Sequence, residues 1–372
     1  MSAVFGFAGG LLDLGFGHVH SNKLLEKGWG EEILSLEADL NDLLVGEGSV
    51  PLRDISDFSY TNEGEPVQVA KFSSPCAEWL PEESKTGYAA VVKPPANIPL
   101  RAAIVLIPAT GDVGFSARVK QVAQPLASVG VASILPQVPY YGRRKPQDQK
   151  SIYVRTFGEF LMQTTATIVE AAKLAKLAAA LFPDVPLGLA GTSAGGGYGM
   201  AAYPSLLREL ETVGEERPIA ICTHVSTSRH MPMLTSVFGD LCDFDGLVDK
   251  DKPGVETVTA ARARVRSVLE HRGVERYFRV LGSSFSPKDA AYTCVLAKHD
   301  RCVVPEEAMI LPQVLTPYVN KARIVEVNGG HLTSIMRTSK VLPNNILETF
   351  GMLKAAPSFA KLAVRGLRQC RR

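Results

Sequence analysis

The chain changes rhythm several times between continuous apolar runs and helical spacing, and each change marks an element. Residues 67–72 and 88–92 read as strands joined by a Pro/Glu-rich connection. Residues 102–108, A-A-I-V-L-I-P, are apolar without a break, as expected of a strand covered on both faces. Helical patterning follows over 115–129 and stops at Gly130, and 131–135 is the next strand. The Ala/Leu-rich stretch 156–182 predicts a long helix ending before Pro183. Strand signals return at 186–190, 219–225, 290–298 and 322–327, with helical segments at 194–207 and around 306–318. This alternation predicts an α/β protein: a mostly parallel central sheet flanked by helices, with functional groups gathered at the carboxyl ends of the strands.

Between Ser226 and Asp289 the alternation breaks. Residues 238–251 are acidic, Pro253 and Gly254 punctuate the run, and 256–277 has the pattern of an Arg-rich amphipathic helix. A helical cap inserted into the core accounts for this, and the chain divides accordingly. Residues 1–66 form an N-terminal extension with a helix near 31–44; 67–228 the first part of the core; 229–288 the cap or lid; 289–353 the second part of the core; and 354–372 a basic tail. No internal repeat or low-complexity segment occurs.

Apolar residues make up 46% of the 372, ample for a core of this size. Lys+Arg of 40 against Asp+Glu of 38 leaves a net charge of +2, so whole-protein charge offers no argument for a nucleic-acid partner. The tail departs from that balance. After Glu348 there is no acidic residue, and Lys354, Lys361, Arg365, Arg368, Arg371 and Arg372 interleave with Phe359, Leu362, Val364 and Leu367. Such a segment is either a solvated last helix or a peripheral contact with an anionic membrane. The six cysteines show no C-x-x-C and read as buried free thiols of a reducing, intracellular compartment. The N-terminus lacks a basic region, and Asp13 precedes any Lys or Arg, a poor fit to a signal or transit peptide. No run approaches the ~20 apolar residues of a membrane span, so a soluble or peripheral protein is expected. Oligomeric state has no signature here.

Residues 187–197, L-G-L-A-G-T-S-A-G-G-G, carry the chemistry. A strand runs into Gly191-Thr192-Ser193-Ala194-Gly195 and then into a helix of small residues, the pattern of a nucleophile elbow. A serine at such a tight turn needs neighbours without bulk two positions away on each side. Its hydroxyl is a weak nucleophile until a neutral imidazole accepts its proton and a carboxylate holds that imidazole. His331, in N-G-G-H directly after the last strand, is the best-placed histidine of seven. Asp300, in A-K-H-D-R-C-V-V-P after the preceding strand, is the preferred acid, with Asp240, Asp243 and Asp245 as rivals. Two backbone N–H groups should face the developing oxyanion. Ala194 supplies one; Thr110, Gly111 or Asp112, in the loop after 102–108, supplies the other unless that loop is an ordinary turn. Tyr140, Tyr141, Arg143 and Arg144 sit at the same sheet edge, either as a site for an anionic group of the substrate or as a solvated basic loop. Nothing in this chemistry requires a metal or an organic cofactor.

The motifs P-A-T-G-D, P-Y-Y-G-R-R-K-P-Q-D-Q, G-T-S-A-G-G, A-K-H-D and G-G-H, in this order and preceded by K-L-L-E-K-G-W-G, resemble the α/β-hydrolase domain-containing protein 18 family. The resemblance runs from about Lys23 to the histidine loop and beyond, and P-Y-Y-G-R-R-K-P is its most specific part. It implies an α/β-hydrolase fold, Ser193, Asp300 and His331 as the triad, a lipid or phospholipid ester as substrate, and a mitochondrial setting. The leading expectation is a serine acyl hydrolase, esterase- or lipase-like, acting on a small-molecule or lipid ester through an acyl-enzyme. Acyl transfer to another acceptor by the same triad is the second reading. A non-catalytic scaffold binding a lipid or protein is the third.

Overall fold

The computed structural model describes Asp13, residues 23–35, Asp42, 54–61, 67–228, 230–282, 289–356 and Phe359. Its strands are β1 (Ser56–Thr61), β2 (Gln68–Ser73), β3 (Thr86–Val92), β4 (Ala102–Ile107), β5 (Val131–Pro136), β6 (Leu187–Thr192), β7 (Ile219–His224), β8 (Ala290–Ala297) and β9 (Lys321–Val327). They form one sheet in the order β1-β2-β3-β5-β4-β6-β7-β8-β9. Pairings from β1 through β3 to β5 are antiparallel, and every pairing from β5 to β9 is parallel. The predicted α/β layering and mostly parallel sheet are therefore present.

Side-chain alternation explains why a central strand such as β4 lacks polar positions. In β4, Ala103, Val105 and Ile107 enter the core on one face of the sheet, while Ala102, Ile104 and Leu106 enter the other. The first face carries α1 (Phe157–Leu181) and α2 (Ala194–Thr212). The second carries the helical run 116–127 and, after α3 (Val258–Glu270) of the insertion, α4 (Thr338–Met352). α1 starts where a capping box fixes it. Thr156 Oγ1 accepts from Glu159 N at 3.1 Å, and Glu159 Oε2 accepts from Thr156 N at 3.2 Å.

The stretch read as an extension is partly built into the fold. β1 lies within 1–66 and pairs with β2 as the outer strand. Leu24 and Trp29 are core residues: Leu24 N donates to Leu241 O at 2.7 Å, and Trp29 Nε1 donates to Leu247 O at 2.7 Å. Residues 23–30 thereby join the insertion after β7 to the start of α1. Of the helix expected at 31–44, residues 31–35 are helical and most of the rest lies outside the described residues, as do His18, His20, Cys370 and nearly all of the basic tail. Residues 230–282 between β7 and β8 contain only short helical turns besides α3, which is the break in rhythm seen in the sequence. Cys76, Cys222, Cys242, Cys294 and Cys302 are buried and unbridged. No described helix is long and apolar enough to cross a membrane.

Candidate active site

β6 delivers Ser193 to the sheet's carboxyl edge in a strained backbone, φ 54° and ψ −128°, before α2 begins at Ala194. The two flanking glycines are required by close backbone approach. A Cβ on Gly191 would come within 2.6 Å of Gly196 N, and one on Gly195 within 2.6 Å of Ile107 O. Ser193 N donates to His224 O at 2.9 Å, which ties the turn to β7.

The loops after β8 and β9 bring two more groups to the serine. His331 Nε2 lies 3.0 Å from Ser193 Oγ, and His331 Nδ1 lies 2.8 Å from Asp300 Oδ2. An ionised carboxylate only accepts, so Nδ1 carries the proton and Nε2 offers its lone pair to the serine hydroxyl. Asp300 is itself held. Its Oδ1 accepts from Cys302 N at 2.8 Å and Val303 N at 2.7 Å. From the insertion, Phe238 sets its ring edge-on to His331 with centroids 5.8 Å apart. Ser193, Asp300 and His331 are all buried. The rival acids stand elsewhere: Asp240 and Asp245 are exposed, and Asp243 Oδ1 accepts from Gly246 N.

The oxyanion candidates separate. Ala194 N opens α2 and belongs to the first turn, whose N–H groups have no partner within the helix. In the loop after β4, Asp112 N donates to Ala109 O at 3.2 Å and Gly111 N donates to Tyr141 Oη at 3.3 Å. Asp112 N and Gly111 N are thus already engaged, by a turn and by a tyrosine. Thr110 N has no hydrogen-bond partner among the described residues, and Thr110 lines the same cavity as Ala194. The Asp112 side chain pairs with Arg118 at 2.6 Å.

The basic loop packs onto α1 and stands apart from this cavity. Arg144 is fully buried, and its guanidinium forks onto both oxygens of Glu170 in α1 at 2.7 Å each, with further bonds to Gln137 O and Ser84 O. Tyr140 and Tyr141 are buried, and Arg143 lies over the Tyr88 ring on the exposed side. None of the four lines the cavity at Ser193. Arg144 braces this loop against α1, and Tyr141 holds the loop after β4.

That cavity encloses about 640 Å³, within the range of about 300–1,000 Å³ usual for small-molecule sites. Its walls are mainly apolar, with Phe160, Met233, Phe238, Leu241 and Ile335 among them, and Leu24 closes one side. His230 also lines it, packed edge-on against Phe160, and burial pushes its imidazole down to about 4, so it stands neutral. His224, behind the elbow, is pushed to about 3 by burial and then by the neighbouring His331.

Asp300, Cys302 and His331 each place one potential metal-ligand atom within 4.8 Å of the others. They do not suit a cation. Asp300 and His331 Nδ1 are spent on each other and on backbone N–H groups, and burial, then the Asp13 and Asp300 charges, raises the Cys302 thiol far above its ordinary range.

Residues 22–235 match the family model described as alpha/beta hydrolase domain containing 18. The chain belongs to this family. Its fold is accordingly the α/β-hydrolase fold, as the sheet order and the elbow already indicate. For this α/β-hydrolase domain-containing 18 chain, no curated protein matches. Similar solved structures include XC6422 from Xanthomonas campestris, described as an α/β serine hydrolase without lid: 12% identity, 81% of this chain and 96% of that one covered, TM-score 0.43. TT1662 from Thermus thermophilus is 19% identical over 71% of this chain and 92% of its own, with TM-score 0.44. The esterase Est22 is 15% identical over 96% of each chain, with TM-score 0.47. At that distance they add nothing to the family match.

Proposed function

We propose that this chain is a serine acyl hydrolase acting on a carboxylic ester with an apolar acyl group. The observation that carries the reading is the continuous hydrogen-bonded line from Ser193 Oγ through His331 to Asp300, opening on a largely apolar cavity. His331 Nε2 takes the Ser193 proton as Oγ attacks the ester carbonyl, and Asp300 stabilises the imidazolium that results. Ala194 N–H and Thr110 N–H face the oxyanion. The imidazolium then gives its proton to the leaving alkoxide, and water repeats the sequence on the acyl-enzyme to release the acid. The 229–288 insertion serves as the lid over this cavity.

The exposed Ile152 and Met336 side chains at the cavity wall favour an amphiphilic ester presented from a lipid aggregate. Labelling by a fluorophosphonate probe, compared among the native protein, Ser193→Ala and His331→Ala, tests the reading. Labelling of the native chain alone is expected, with turnover of an ester falling on the order of 10⁴-fold or more in both variants. A folded native protein that does not label would overturn it. Product analysis with added alcohol or lysolipid separates hydrolysis from acyl transfer.

A further inference from the structure

The turn that carries His331 is anchored by a carboxylate from the opposite end of the chain. Asp13 is fully buried. Its Oδ2 accepts from His331 N at 2.7 Å and from Arg301 N at 3.2 Å, and its Oδ1 accepts from Leu332 N at 2.9 Å. These are three successive constraints on two loops. The N–H groups of 301–303 are divided between two carboxylates, Arg301 on Asp13 and Cys302 and Val303 on Asp300. Within the short helix His331–Met336, the first two N–H groups both end on Asp13, while Gly330 N is taken by Thr333 Oγ1.

We propose that Asp13 is a positioning residue for the Ser193–His331–Asp300 line, a role that rests on the serine-hydrolase reading. The acid and the histidine come from separate loops, after β8 and β9, so the 2.8 Å bond between them depends on how the two backbones stand to each other. Asp13 bonds to the backbone of His331 itself and to that of Arg301, the residue next to Asp300. Neither loop can shift without breaking one of its bonds. A carboxylate suits this place better than a neutral cap, because both oxygens accept and charge-assisted bonds are the stronger kind. Asn offers one accepting oxygen and turns an amide N–H₂ towards a backbone N–H. A misplacement near 1 Å costs a reaction about 10²-fold, which sets the scale of the expected loss.

The test uses Asp13→Asn and Asp13→Ala in the full chain. With folding verified, kcat on a soluble ester and the fluorophosphonate labelling rate should fall about 10- to 100-fold in Asp13→Ala and less in Asp13→Asn, with KM within about 3-fold. A second readout needs no turnover: the far-downfield proton resonance of His331 Nδ1, identified by its loss in Asp300→Asn, should shift or broaden in both variants. Native kcat and an unmoved resonance in folded variants would overturn the proposal. So would rates that fall only in proportion to the unfolded fraction, or failure of both variants to fold, since either assigns Asp13 to stability alone. Were the native chain itself inert to the probe, the hydrolase reading would fall, whereas the resonance would still report whether Asp13 holds the His331–Asp300 pair.

Discussion

Replacing Ser193 by Gly should give a more stable protein than replacing it by Ala, although both remove the same hydroxyl. Either change abolishes the 3.0 Å bond to His331 Nε2, so that loss cancels in the comparison. What differs is the backbone. At φ 54° and ψ −128° a residue with a Cβ is strained, by about 1–3 kcal/mol for such conformations. Glycine relieves this but gives back about 0.5–1 kcal/mol through the greater freedom of the unfolded chain. The Gly variant should therefore exceed the Ala variant by about 1 kcal/mol at mid-range and by up to about 2.5 kcal/mol. Urea unfolding is the better assay, because an unfolding entropy of about 2.1 cal/mol/K per residue over 372 residues reduces each ~1 kcal/mol to little more than ~1 °C in Tm. Equal m-values with a higher midpoint for Gly are expected. A Ser193→Ala protein more stable than Ser193→Gly by about 0.5–1 kcal/mol would mean that the elbow stores no backbone strain, and the reasoning would fail.

Three further outcomes follow from the geometry. Glu170→Gln leaves the buried Arg144 charge without its counterion and should cost about 3–5 kcal/mol in urea unfolding, with unchanged turnover per folded molecule; Met at both positions should recover much of the loss. Gly195→Ala, whose Cβ would press on the backbone after β4, should lower the yield of folded protein and the fluorophosphonate labelling rate together, and a normally active Gly195→Ala protein would contradict the close packing. The histidines give a pH dependence. His230 and His224 are pushed by burial from 6.5 to about 4 and about 3, so the unfolded chain binds more protons than the folded one in that interval. Stability should be complete above about pH 6.5 and fall below it by up to about 1.4 kcal/mol per pH unit for each group. His230→Phe should flatten the urea midpoint between pH 6.5 and 4; an unchanged slope would show that His230 does not titrate there.

Much of this architecture was legible because the central strands cannot hide. Covered on both faces, β4, β5, β7 and β8 are buried at every position and read as nearly continuous apolar runs, and the elbow glycines follow from steric contact alone. β1 escaped notice because S-D-F-S-Y-T at a sheet edge carries too few apolar residues to stand out. The basic loop misled for a different reason. A run of cations reads as solvated or ligand-binding, yet the lone carboxylate of Glu170 in the middle of an apolar α1 needed a buried cation, and Arg144 is that partner. Asp13 left no local signal, since its partners lie about 290–320 residues away along the chain.

The packing of Leu24 and Trp29 against the insertion has a consequence for how the protein is made. Trp29 bonds to Leu247, 218 residues later, and Ser193 meets His331 across a separation of 138 residues. At roughly 5–20 residues per second, Leu24 and Trp29 would leave the ribosome roughly 10–40 seconds before their partners. During that interval these side chains face water or a chaperone. The cavity can close only after the insertion has been synthesised, and Ser193 meets His331 later still. Under the proposed triad, synthesis in this order leaves the nascent chain without its base until residue 331 has been made.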